Sequence, residues 1–248
     1  MKHPEITSLF KYRRLDTYSI QSLVNEVAWF STPSSFNDPF DCGVHIDDRK
    51  IEEAIEHAVV ETRKRTGRDI NNIPIEELKV TQSDISAFEQ FRSSLYNLFQ
   101  TAGIFSLSEI SDDILMWGHY ADSHRGFCVE YERMPENILG RQAEPVEYQT
   151  QLPSLTPQNV ISESGSIDWL WLTKSNHWNY EKEWRVLSPE GGKLYNIDSR
   201  IKSIIFGLNM NQDNREILFK VISGKNIIFK EAIRDKYEFK INVIELKA

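Results

Sequence analysis

The chain reads as an α+β protein in which strands carry the core and helices are inserted between them without regular alternation. Three observations lead there. Short runs rich in β-branched and aromatic residues recur at uneven spacing between Leu9 and Leu246. Apolar stripes at helical spacing concentrate in one stretch, residues 49–102, instead of following every strand. No internal repeat is present, and the order of elements disfavours a doubly wound parallel sheet. No composition shift marks a domain boundary, so residues 1–248 read as a single domain with a helical insertion at about 49–102.

In chain order, Leu9–Arg13 is a short strand, and a helix begins near Asp16 with Ile20, Leu23, Val24 and Val27 on one face. Ala28–Ser31 is a second strand, stopped by Pro33, and Phe36–Asp41 is a loop in which Asn37, Asp38 and Asp41 can cap the turn around Pro39. Within the insertion, Ile51, Ala54, Ile55, Ala58 and Val59 form one stripe, and Phe88, Phe91, Leu95, Leu98 and Phe99 form another. The polar run Lys64–Ser83 between them reads as loop, and Gly103 as a helix C-cap. Ile104–Leu107 is a strand, followed by a helix that Ser111 could cap, with Asp112 and Asp113 in its first turn. Phe127–Tyr131 and Val146–Tyr148 are strands, Gln149–Pro157 a loop, Ile167–Trp178 helical and Glu183–Leu187 a strand. The remainder reads strand (Ser203–Phe206), helix (Gln212–Ser223) and two strands (Ile227–Ala232, Tyr237–Leu246).

Composition bounds the function. With 40% hydrophobic and 27% charged residues the chain is globular, and a net charge of −8 argues against broad electrostatic capture of nucleic acid. Two cysteines, Cys42 and Cys128, make no disulfide framework, and the Cys and His spacings lack the paired ligands of a structural zinc site. The N-terminus has no apolar leader and no run approaches spanning length, so a cytoplasmic protein with no membrane contact is expected.

The densest chemistry lies in Trp178-Asn-Tyr-Glu-Lys-Glu-Trp-Arg-Val-Leu187. Read as one extended strand, it puts Glu181, Glu183 and Arg185 on one face and Tyr180, Lys182, Trp184 and Val186 on the other. Two carboxylates and a guanidinium on a strand fit for burial are costly unless they satisfy each other or meet a ligand. Trp117, Trp178 and Trp184 read as core residues, since large aromatics dominate burial.

Taken together, Lys11-Tyr-Arg13, Phe36-Asn-Asp-Pro-Phe-Asp41, Ser106-Leu-Ser108, Met116-Trp-Gly-His-Tyr-Ala121, Gly126-Phe-Cys-Val-Glu130 and Trp178-x-x-Glu-x-Glu-Trp-Arg185 resemble the bacterial family catalogued as domain of unknown function 2971. The order of elements is also similar to the ADP-ribosyltransferase fold, which implies a split, mostly antiparallel sheet holding NAD, as substrate, in its cleft. That resemblance implies a first-strand cation for the dinucleotide, matched by Arg13 beside Tyr12; a serine motif, matched by Ser106 and Ser108; a helical Tyr-Ala pair, matched by Tyr120-Ala121 after His119; and a late Glu-x-Glu, matched by Glu181 and Glu183. It casts Glu183 as the carboxylate that stabilises the ribose cation formed when nicotinamide leaves, and Glu181 as the group that orients or deprotonates the acceptor. Arg13 would pair with the pyrophosphate, with Asn37, Asp38, His119, Tyr120 and Arg185 completing the nucleotide site.

The implied activity is an NAD-consuming transferase or glycohydrolase whose acceptor is protein, nucleic acid or water, acting as a bacterial toxin or phage-defence effector with a partner protein. Two alternatives stand beside it. One is a metal-dependent nuclease built from Asp38, Asp41, Glu181 and Glu183 around a divalent cation. The other is a non-catalytic module that senses a nucleotide in the same cleft. A plainer reading makes Glu183 and Arg185 part of a structural ion-pair network.

Overall fold

The structure, a computed structural model, describes residues 1–46, 82–155 and 167–246. Eight strands form the central sheet: β1 (Ser8–Arg13), β2 (Gly103–Ser108), β3 (Phe127–Glu132), β4 (Glu144–Pro145), β5 (Glu183–Ser188), β6 (Ile201–Phe206), β7 (Ile228–Arg234) and β8 (Ile241–Glu245). The α-helices among the described residues are α1 (Thr17–Asn25), α2 (Gln82–Thr101), α3 (Ile114–Tyr120), α4 (Ile138–Gln142) and α5 (Gln212–Val221). The strand order is β8-β7-β6-β3-β1-β2-β5-β4. Every neighbouring pair is antiparallel except β6 and β7, which are parallel and joined through α5. The α+β class and the mostly antiparallel sheet are as the sequence predicts.

The expected split is not seen, because all eight strands belong to one sheet. Its weak seam lies between β1 and β2, which share one register pair, Phe10↔Ser108. By contrast β1 and β3 pair at six positions, from Ser8↔Glu132 to Arg13↔Phe127. Past the seam the Lys11 side chain bridges the two strands instead, its Nζ donating to Ser106 O at 2.6 Å.

Strand alternation assigns the two faces. Leu9, Phe105, Leu107, Val129, Tyr131, Trp184 and Val186 enter the larger core, closed by Leu23 of α1 and Leu218 of α5. On the opposite face, Tyr12 and Cys128 pack with Met116 and Trp117 of α3, while Ile104 packs with Phe99 of α2, Cys42 and Trp171. Beside these two apolar patches, that face carries Ser106, Ser108, Glu183 and Arg185, as the β2–β5 register requires. Its polar sequence is therefore set within a largely apolar surface.

Several local expectations need correction. Residues 167–178 are not one helix: a 3-10 turn (Asp168–Leu170) leads to a short strand (Thr173–Ser175) and a second 3-10 helix (Asn176–Glu181). Thr173–Ser175 pairs in parallel with Glu147–Gln149, a backbone demand that a helix could not meet. The helix before Ala121 is capped by Asp113, whose Oδ1 accepts from Leu115 N and Met116 N, and not by Ser111. Gly103 opens β2 instead of ending α2; a Cβ there would sit 2.5 Å from Glu190 O. Val27 belongs to a strand, Val27–Phe30, paired with Lys193–Asn196. The last strand begins at Ile241, leaving Tyr237 and Phe239 exposed in the turn before it. Gln82 and Ser83 start α2, the second expected stripe, whereas the first stripe and residues 64–81 of the polar run lie outside the described residues. Among the described residues, no helix is long and apolar enough to cross a membrane.

Candidate functional site

The weak seam opens into a cavity of about 370 Å³ lined by Lys11, Tyr12, Asn37, Asp41, Ser106, Ser108, His119, Tyr120, Lys174, Glu181 and Glu183, among others. Its charged floor comes from the Asp41 loop and from the continuous segment Lys174–Arg185. Strand β5 brings Glu183 and Arg185, i and i+2 on one face. The 3-10 helix before it ends at Glu181, and Lys182 then turns through the left-handed region (φ 45°) so that β5 can start at Glu183. Glu181 is thus not on the strand, which corrects the expected three-residue alternation; the turn swings its carboxylate back toward that of Glu183. Ser108 Oγ pins this turn by donating to Glu181 O at 2.6 Å.

Lys174 lies at the centre. Its Nζ donates to Glu181 Oε2 at 2.6 Å and Glu183 Oε2 at 2.9 Å, and lies 3.4 Å from Asp41 Oδ2. Arg185, 0% exposed, donates to both Glu183 oxygens, both Asp41 oxygens and Trp171 O. Tyr148 OH accepts from Glu183 N at 2.8 Å. The Asn37–Asp41 loop now has a defined role: Asp38 Oδ1 accepts from Phe40 N, shaping a turn that presents Asp41 to Arg185.

Burial pulls the two glutamates toward protonation, but their neighbours send them apart. For Glu183 burial is outweighed by Arg185, Lys174 and Ser106, and its carboxyl is held far below the usual range. For Glu181 burial prevails over Lys174 and Tyr120, helped by repulsion from Glu183, and its carboxyl is raised. Glu183, Asp41 and Glu181 together overcome the burial of Lys174 and keep it protonated. Burial and then Glu181 raise Tyr120, which remains a phenol and donates to Glu181 Oε1 at 2.6 Å.

Acceptor capacity also distinguishes the pair. A carboxylate offers about four acceptor positions. Glu183 meets donors from Arg185 twice, from Lys174 and from Ser106. Among the described residues Glu181 meets only Tyr120 and Lys174, one on each oxygen. Glu181 is the carboxylate with room for a ligand.

Of the residues expected at a site, Tyr12, Asn37, Ser106, Ser108, His119, Tyr120, Glu181 and Glu183 converge on this cavity. Arg13 does not; it lines an adjoining cavity of about 750 Å³. Asp38 is engaged in its own loop, Tyr12 OH donates to Ile110 O, and Arg185 is occupied internally. His119 sits at the rim in an aromatic group with Trp178 and Tyr180, ring centroids 6.4 and 6.5 Å away. Sequence reasoning missed Lys174, Tyr148 and Lys11 as site residues, and took Asp41 only as a turn cap or metal ligand. Lys174 left one signal: it is the lone cation after Ile167–Leu172, a stretch that is apolar except for Asp168.

For the nuclease alternative, the space a divalent ion would take between Asp41, Glu181 and Glu183 holds Lys174 Nζ and the Arg185 guanidinium. Among the described residues, no group of three His, Cys, Asp or Glu is arranged to hold a metal.

Residues 116–186 match the family described as protein of unknown function (DUF2971), so the family resemblance holds over this segment, which runs from α3 into β5. No curated protein and no solved structure gives a significant match.

Proposed function

We propose that this chain, whose residues 116–186 carry the DUF2971 signature, cleaves the nicotinamide–ribose bond of NAD as an ADP-ribosyltransferase-like enzyme or NAD glycohydrolase. The observation that carries the reading is the division of labour between two adjacent glutamates. Both line the cavity, but one is anchored and ionised, while the other keeps spare acceptor capacity and a raised pKa. This exchanges the roles that the fold resemblance implied, making Glu181 the reacting carboxylate and Glu183 its positioning residue.

The chemistry follows from charge. Nicotinamide departs as a neutral base with the electrons of the C1′–N bond, and the ribose becomes an oxocarbenium ion. A carboxylate beside that carbon stabilises the transition state more than the ground state. Glu181 then accepts the proton of the attacking acceptor, a task suited to a carboxyl whose proton affinity is raised by burial. Tyr120 and Lys174 hold Glu181 in place, and the aromatic group of His119, Trp178 and Tyr180 offers a stacking wall at the rim. The acceptor is protein, nucleic acid or water, and a toxin or phage-defence role with a partner protein belongs to the same proposal.

A second reading, the non-catalytic nucleotide-sensing module, is favoured by one observation: Glu183 and Arg185 satisfy each other. Chromatography of NAD incubated with the protein separates the two. Free nicotinamide supports the enzyme; saturable NAD binding without nicotinamide release supports the module.

A further inference from the structure

We infer that Lys11 is the receptor for a phosphoryl anion at the neck between the two cavities, and that occupancy of this neck is coupled to uptake of a proton by Lys11. This deepens the proposed NAD reading by naming the residue that meets the charged middle of the ligand, a position the fold resemblance gave to Arg13.

Three observations carry it. The carboxylate cavity and the larger adjoining one share Lys11, Tyr12, His119 and Tyr120 as a common border, so an elongated ligand occupying both must pass Lys11. Lys11 Nζ has one hydrogen bond, to the Ser106 carbonyl, and among the described residues no carboxylate pairs with it, whereas the neighbouring Lys174 has three. Arg13, two residues on and on the same side of β1, has its Nε buried with no hydrogen-bond partner and lines the larger cavity. Two adjacent cations with no carboxylate partner among the described residues form a receptor for a fully ionised phosphoryl group, to which ammonium and guanidinium both donate strongly.

The charges around Lys11 explain the proton. Burial, then Arg13, lower it to about 7, against the pull of Glu183 on β5, Glu181 before it and Cys128 on β3. His119 and Tyr120 of α3 face the same neck. An anion beside the amine restores its charge, so binding takes up a proton, more completely at pH 8 than at pH 7.

The test is calorimetry of the full chain with ADP-ribose and with sulfate, both fully ionised at these pH values, in buffers of different ionisation enthalpy. Wild type takes up a proton on binding. Lys11→Arg still binds but takes up none, because arginine stays charged. Lys11→Met binds about 10- to 100-fold more weakly. Uptake that persists in Lys11→Arg, or no binding of either probe by wild type, overturns the inference. Sulfate binding with Lys11-dependent uptake but no response to ADP-ribose upholds the anion receptor and counts against the NAD reading. NAD turnover with uptake unchanged in Lys11→Arg does the reverse.

Discussion

Lys174→Met removes the cation at the centre of the cluster while keeping most of the side chain's length and apolar bulk. Lys174 is 7% exposed, and its ammonium lies within 3.4 Å of Asp41, Glu181 and Glu183. Without it, three buried carboxylates face one guanidinium. Breaking a buried ion pair by removing one partner costs about 3–5 kcal/mol, because the remaining charge stays buried. For a chain of this length, 1 kcal/mol corresponds to roughly 2–4 °C, so the melting temperature should fall by about 6–20 °C. The pH dependence gives a second check. Lys174 is the strongest of the groups opposing the burial-driven rise of Glu181, so its loss raises that carboxyl further above its unfolded value. A raised carboxyl costs nothing below the unfolded value of about 4.3, and its penalty grows as pH rises through the folded value. The deficit against wild type should therefore be larger at pH 8 than at pH 5. Thermal melts across that range are the assay. A drop under about 3 °C, or a deficit independent of pH, would refute the central place given to Lys174.

Three other outcomes follow from single residues. Tyr120→Phe deletes the donor to Glu181 Oε1, which should shift the acidic limb of NAD turnover to higher pH; an unmoved limb contradicts it. Glu130 accepts from Ser8, Ser203 and Lys230, and these bonds overcome burial and hold its carboxyl down at about 2. Glu130→Gln should thus be less stable than wild type above about pH 4.3, with the difference vanishing as pH falls through about 2; acid titration of both melts reads this directly. Gly126→Ala places a Cβ against the carbonyl of Arg13, at the end of β1 beside the cavities, and should cost about 1–3 kcal/mol, where an unchanged melting temperature would show that the backbone yields freely.

The strands of the central sheet other than β4 were legible in the sequence because their patterns are local. Trp184 and Val186 against Glu183 and Arg185 show the period of two directly, and β2 and β3 are marked by buried apolar runs. What escaped depends on contacts distant in sequence. Residues 167–178 have apolar spacing fit for a helix, yet Thr173–Ser175 is claimed by pairing with Glu147–Gln149. The turn at Lys182 converts an apparent strand into a 3-10 helix, and its left-handed conformation sits on a residue that gives no signal for it. The cluster was legible in its members but not in its wiring. Glu181 and Glu183 were evident, but that Arg185 would be consumed by Asp41, 144 positions away, is a fact of packing. Lys174 stayed hidden because its one signal, a lone lysine after Ile167–Leu172, does not say that the side chain points inward. Arg13 matched a motif by position, while the seam between β1 and β2 placed Lys11 at the cavity instead.

The most direct test of the division between the two glutamates is nicotinamide release from NAD by wild type, Glu181→Gln and Glu183→Gln, with the melting temperature of each. The expected result is that Glu181→Gln loses about 10²–10³ in rate and melts close to wild type. Glu183→Gln should melt several degrees lower, because Arg185 and Lys174 lose an ionised partner. Turnover retained in Glu181→Gln, or a stable and inactive Glu183→Gln, would contradict the assignment and return the reacting role to Glu183.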